Sequence, residues 1–164
     1  MESKPKILAF AGSAREKSLN KRLIHLAASA ARSAGAEVTE LDFREIPLPL
    51  FDSDREEREG IPENVRKFKA LLKSYQGLLI ACPEYNSSIT PLLKNAIDWA
   101  TRKEGGEKPL ECFTGKVAAL FSASPGALGG LRGLVHVRAI LSNIGVLVLP
   151  DQLAIGQAHE VLSE

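Results

Sequence analysis

Only two cysteines occur in the 164-residue chain, Cys82 and Cys112. They lie far apart and outside any C-x-x-C pair, so neither a zinc knuckle nor a redox dithiol is indicated. Both read as small, reduced, buried apolar residues. An excess of one charge is also missing: 21 Lys and Arg against 20 Asp and Glu leave a formal net charge of +1. Nothing in that balance draws a polyanion such as nucleic acid or an anionic membrane surface. No apolar run reaches the roughly 18 residues of a membrane span, and Ile7 to Ser13 is too short for the apolar core of a signal peptide. A cytoplasmic location is the resulting expectation. The sequence further lacks G-x-S-x-G and H-E-x-x-H, and its histidines, His25, His136 and His159, are scattered. A serine hydrolase therefore lacks its nucleophile elbow, and each histidine reads as an ordinary surface or core residue.

With 45% hydrophobic residues, the chain can fill a two-faced core, which excludes disorder of the whole. No Pro/Gly/Ser-rich linker divides it, so residues 1–164 are expected to form a single domain. Lys6 to Gly12, Gly77 to Pro83 and Lys116 to Ser122 are continuous apolar runs, as in strands buried on both faces. Glu37 to Leu41 alternates polar and apolar residues and suits a sheet edge. Val146 to Leu149 completes five strands. Between them, helical spacing links Leu19, Leu23, Leu26, Ala27 and Ala30, with Gly35 at the position of a C-cap glycine. A second helix opens near Pro62 and carries Val65, Phe68, Leu72 and Tyr75, and a third opens at Pro91. A fourth spans Leu131 to Asn143. Ile46 to Gly60 reads as a long surface loop, because Pro47 and Pro49 forbid a central strand and a charged stretch follows. Strands alternating with helices predict an α/β fold: a doubly wound parallel sheet in a three-layer α/β/α arrangement.

Such sheets bind ligands beyond the carboxyl ends of their strands, where the strand order reverses. Three loops then matter: Gly12 to Asn20, Pro83 to Thr90, and Ser122 to Gly130. In the first, the hydroxyls of Ser13 and Ser18, the Asn20 amide, the Arg15 guanidinium and free N–H groups at a helix start could surround a phosphate. It matches neither the dinucleotide fingerprint nor the P-loop, and a plain capping loop with Ser18 as N-cap explains part of it. In the second loop, backbone amides can bond the edge of a planar heterocycle while Tyr85 offers a ring beside it.

The chain resembles the NAD(P)H-dependent FMN reductases, including enzymes described as quinone, chromate and azo-dye reductases. The resemblance rests on G-S-x-R-x-x-S-x-N at Gly12 to Asn20 and on P-E-Y-N-x-S at Pro83 to Ser88 with L-K-N-A-I-D-W at Leu93 to Trp99. S-P-G-x-x-G-G-x-R at Ser124 to Arg132 completes it. It implies a flavodoxin-like five-stranded sheet of order 2-1-3-4-5 that binds FMN, with NADPH or NADH as electron donor. Ser13, Arg15, Ser18 and Asn20 would hold the FMN phosphate. Pro83, Glu84, Tyr85 and Asn86, with Ser88 of the same motif, would line the isoalloxazine ring, and Ser124 and Gly126 its other edge.

Three departures stand out. Thr90-Pro91 replaces the family's common Pro-Gly, and Val135 replaces an aromatic residue, which weakens any inferred tetramer contact. Beyond Gly156 only Gln157 to Glu164 remain, where the family usually closes with an amphipathic helix. Either a C-terminal segment is missing or a partner is expected to cover that sheet face.

The implied reaction is ping-pong hydride transfer from the nicotinamide through FMN to a small acceptor: a quinone, an azo compound, a metal oxyanion such as chromate, or free flavin. The alternative is a flavodoxin-type electron carrier without its own NAD(P)H oxidation, against which the near-neutral charge argues. Glu84 is expected to form a salt bridge to a basic side chain across a subunit boundary. Leu48, Leu50 and Phe51, with the fourth helix, are expected near the partner's flavin in a homodimer or homotetramer.

Overall fold

In the computed structural model, which describes residues 3–162, five parallel strands form one sheet of order β2-β1-β3-β6-β7. They are β1 (Lys6–Ala11), β2 (Glu37–Leu41), β3 (Gly77–Ala81), β6 (Val117–Ala123) and β7 (Leu147–Ile155). Counting only these strands, the order is the expected 2-1-3-4-5. The alternation of side chains along β1 sets the layers. Leu8 and Phe10 enter the larger core with Phe68, Leu72, Leu93, Ile97, Leu134 and Leu141. These come from α3 (Glu63–Ser74), α4 (Pro91–Thr101) and α5 (Leu131–Asn143). Ala9 and Ala11 face the other way, where they meet Ile24 and Ala28 of α1 (Leu19–Ser33) and Ala81 of β3. Alanines on both sides of that contact let α1 lie close to the sheet.

The charged stretch after Asp52 is helical, α2 (Ser53–Glu59), and not a loop. The Asp52 carboxylate accepts from the amides of Asp54 and Arg55, and Arg55 pairs with Glu59 one turn on. Capping and ion pairing hold this turn, and none of its residues is buried, so no apolar period announces it. The preceding segment is fastened as well. The Pro49 carbonyl accepts from Asn95 Nδ2 (2.9 Å) and Trp99 Nε1 (2.7 Å), and Phe51 N–H donates to Asn95 Oδ1 (2.8 Å). Phe51 stands edge-on to Trp99 and Leu48 packs against the core. Of the three apolar side chains expected at the surface, only Leu50 is strongly exposed, at 78%.

β7 extends past the expected Leu149 to Ile155, with an irregular register opposite Ala118 and Leu120. An edge strand tolerates Pro150, and Arg138 donates to the carbonyls of Val148, Leu149 and Pro150. A short helix, α6 (Ala158–Val161), follows. Its Ala158, with Leu162, packs on Leu23 and Ala123 and covers part of the α1 side of the sheet. Val117, Leu147, Leu149 and Leu153 on that side remain exposed.

Candidate functional site

The loops after β1, β3 and β6 converge at the carboxyl end of the sheet. Ser13, Arg15, Ser18, Leu19, Asn20, Pro83, Glu84, Tyr85, Ala123, Ser124 and Pro125 line one cleft there. Eight of the eleven expected site residues thus line this one cleft; Asn86, Ser88 and Gly126 lie outside its lining.

The first loop reaches the second through contact that only glycine permits. A Cβ at Gly12 would sit 2.9 Å from Leu93 Cβ. Thr90 Oγ1 donates to the Gly12 carbonyl (2.6 Å) and accepts from Leu93 N–H (3.2 Å), so it caps α4 while tying the loops together. The Thr90-Pro91 departure therefore preserves a helix start, with proline inside the first turn.

Ser18 occupies the N-cap position of α1, yet its hydroxyl makes no capping bond. Ser13 Oγ accepts from Arg15 N–H (3.2 Å), and among the described residues no hydrogen bond or ion pair engages the Arg15 guanidinium. The first turn of α1 holds no acidic residue. A helix start that is positively polarised and not neutralised, with two buried hydroxyls and a guanidinium beside it, fits a phosphate group. Asn20 is otherwise employed. Its Nδ2 donates to the Ala123 carbonyl (2.8 Å) and its Oδ1 accepts from Ala123 N–H (3.0 Å).

The second loop is a hairpin, β4 (Glu84–Tyr85) and β5 (Ser88–Ile89), absent from the sequence reading. Asn86 (φ 50°) and Ser87 (φ 68°) form its two-residue turn, both in the left-handed region that such hairpins require. Tyr85 is half exposed beside the cleft. Ser88, outside the cleft lining, has its Oγ 2.8 Å from His136 Nδ1. Glu84 is ion-paired within its own chain: its carboxylate accepts from Arg132 Nη2 (2.8 Å) and from Gly133 N–H (3.1 Å). Burial raises the Glu84 pKa, but these bonds outweigh it and hold the carboxyl below its usual range.

The third loop bends at Ser124, whose Oγ accepts from Gly126 N–H (3.1 Å). It ends at Gly130 (φ 88°), where a Cβ would fall 1.9 Å from Ser122 Oγ. That hydroxyl donates to the Cys82 carbonyl (2.7 Å), so the third loop closes directly on the base of the second. Burial pushes the Cys82 thiol far up, which leaves it inert. Sequence reasoning missed Leu19, Ala123 and Pro125, which line the cleft, and the anchoring parts of Thr90, Asn95 and Trp99.

Comparison with known proteins agrees with this fold. A probable NADPH:quinone oxidoreductase 2 from Oryza sativa subsp. japonica is 37% identical over 82% of this chain and 63% of its own length. A 2-hydroxy-1,4-benzoquinone reductase from a Burkholderia species is 37% identical over 88% of this chain and 74% of its own. A quinone reductase from Escherichia coli is 33% identical over 91% and 76%. Among solved structures, a flavoenzyme NAD(P)H:(acceptor) oxidoreductase from Paracoccus denitrificans superposes with a TM-score of 0.75 at 28% identity, covering 90% of this chain and 78% of that one. An azoreductase from Bacillus anthracis shares the fold at a TM-score of 0.67 and 18% identity, over 97% of this chain and 93% of its own. The model of the NADPH-dependent FMN reductase family matches residues 5–160, a range that includes the three loops meeting at the cleft, and the chain belongs to that family.

Proposed function

We propose that this chain is an NAD(P)H-dependent oxidoreductase holding FMN in the cleft and reducing small acceptors such as quinones, azo compounds, chromate or free flavin. The observation that carries the reading is the start of α1, without a side-chain cap or an acidic residue in its first turn and with Arg15 unengaged, in the same cleft as the hairpin and the Ser124 bend. Ser13, Ser18, Arg15 and the first amides of α1 would hold the phosphate. The backbone of Pro83 to Asn86 would face one edge of the ring, and Ser124 with Gly126 the other. Asn20 would act by fixing the end of β6 against α1. Bound FMN supplies a two-electron carrier between nicotinamide and acceptor, so no protein nucleophile is needed.

A cytoplasmic location and assembly into a homodimer or homotetramer belong to the same reading. No helix among the described residues is long and apolar enough to cross a membrane. Leu50 on the 46–52 segment and Leu131 and Val135 on α5 are exposed apolar side chains suited to a partner copy. Mass photometry that finds only monomers removes the assembly.

The test of function is the visible absorption spectrum of the protein saturated with FMN, before and after anaerobic NADH or NADPH, followed by addition of a soluble quinone. Bleaching by the nicotinamide and recovery with the quinone are expected. A protein that stays colourless after FMN saturation refutes the reading, and one that is not bleached by either nicotinamide is a carrier.

A further inference from the structure

The hairpin that carries the expected ring-facing backbone rests on α5, and two side-chain links join them. Glu84 on β4 receives Arg132 Nε (3.0 Å) and Nη2 (2.8 Å) on one carboxylate oxygen and the Gly133 amide (3.1 Å) on the other. Ser88 on β5 meets His136 at 2.8 Å. Arg132 and His136 are one helical turn apart and so share a face. Between them Gly133 lets the elements touch: a Cβ there would lie 3.3 Å from the Ser88 carbonyl and 3.5 Å from Glu84 Cβ.

The charges suit the arrangement. α5 has no acidic residue in its own first turn and no side-chain cap at Gly130. The Glu84 carboxylate takes that place from another part of the chain, bonding the third amide of the helix and countering its positive end. The Glu84 side chain is only 10% exposed and its carboxylate is taken up by Arg132 and the Gly133 amide of α5. The first turn of α5 also follows directly on the loop from Ser124 to Gly130, which forms the cleft's other ring-side wall.

We propose that Glu84 and Arg132 are positioning residues for the flavin ring: their ion pair, with the Glu84 bond to the Gly133 amide, locks the hairpin to α5 and sets the spacing of the two ring-side walls. The Ser88–His136 bond is the second, weaker tie. This inference rests on the FMN reading and adds that two of the motif's polar side chains act through the backbone.

The test is a double-mutant cycle on FMN affinity, measured by fluorescence quenching with flavin-free wild type, Glu84→Gln, Arg132→Gln and the double variant. Each single substitution is expected to weaken FMN binding about tenfold, and the double variant by no more than the worse single, because each leaves the same pair broken. At saturating FMN the visible circular dichroism of the flavin should change in the singles. The urea midpoint of the flavin-free protein should stay close to wild type for Arg132→Gln, whose side chain is 57% exposed. That variant also covers the case in which Glu84→Gln fails to fold. Wild-type protein that binds FMN, beside variants that bind it equally well with an unchanged spectrum or lose affinity additively, overturns the lock alone. Wild type that takes up no FMN overturns the lock and the cofactor reading together.

Discussion

Replacing Asn20 with alanine should destabilise the protein before any cofactor is involved, and the geometry sets the size of the effect. β6 outruns its neighbour: the pairing of β3 with β6 ends at Ala81 opposite Phe121, while β6 continues to Ala123. On that side Ala123 has no strand to bond. The Asn20 carboxamide substitutes for one, donating to the Ala123 carbonyl at 2.8 Å and accepting its N–H at 3.0 Å, with the Asn20 side chain buried. Asn20→Ala strips a donor and an acceptor from backbone groups that stay buried. At about 1–3 kcal/mol for each unsatisfied group, the loss is roughly 2–6 kcal/mol, and water entering the vacated space brings it toward the lower figure. For a chain of this length that corresponds to a fall in Tm of roughly 5–15 °C.

Asn20→Asp sharpens the test. One carboxylate oxygen can still accept the Ala123 amide, but the other faces the Ala123 carbonyl, so the variant should be no more stable than the alanine. Urea unfolding of the flavin-free proteins, followed by far-ultraviolet circular dichroism, measures both. A loss below about 0.5 kcal/mol for Asn20→Ala would show that the β6 terminus finds other partners, and the strand-substitute argument would be wrong.

Gly130→Ala combines a left-handed φ of 88° with a Cβ 1.9 Å from Ser122 Oγ, which must leave its bond to Cys82. A loss of about 3 kcal/mol or more and weakened FMN uptake are expected, and a Tm within about 2 °C of wild type contradicts the clash. The Glu107 carboxyl, raised by burial but more strongly lowered by Lys69 and Lys73, titrates at about 2 when folded. Its unfolded value is higher, so its stabilisation is full above about pH 5 and drains as pH falls toward 2, a loss on the order of 2 kcal/mol in the unfolding free energy read from urea titrations. Glu107→Gln should flatten that part of the profile and lower stability at pH 7 by about 3 kcal/mol, because Lys69 is only 2% exposed. Asn95→Ala frees the Phe51 amide, whose hydrogen exchange should quicken at least about tenfold without loss of the fold.

The frame of the fold was legible because its signals are local. Continuous apolar runs marked β1, β3 and β6, and helical spacing marked α1, α3 and α4. What escaped lacked such a signal. α2 buries nothing, so its cap and ion pair left no apolar period. The second half of β7 contains Pro150, which argues against a strand unless the strand is known to be an edge. The hairpin is two residues on each arm, too short for any alternation to show.

The site was legible in its location and less so in the division of labour among its residues. A polar side chain in a loop can meet a ligand or replace a missing backbone partner, and residue type alone does not separate the two. What separates them is a partner distant in the chain: Ala123 lies 103 residues from Asn20, Gly133 49 from Glu84, and His136 48 from Ser88. Topology supplies those partners by bringing three loops to one end of the sheet. The motif residues then sort by what their side chains already bond. Asn20, Glu84 and Ser88 are engaged with the protein and shape the walls, whereas the Arg15 guanidinium and the Ser18 hydroxyl are left to the cleft. Substitutions in the first set should therefore alter the flavin-free protein or the ring's geometry, and substitutions in the second should weaken the phosphate grip with the fold intact.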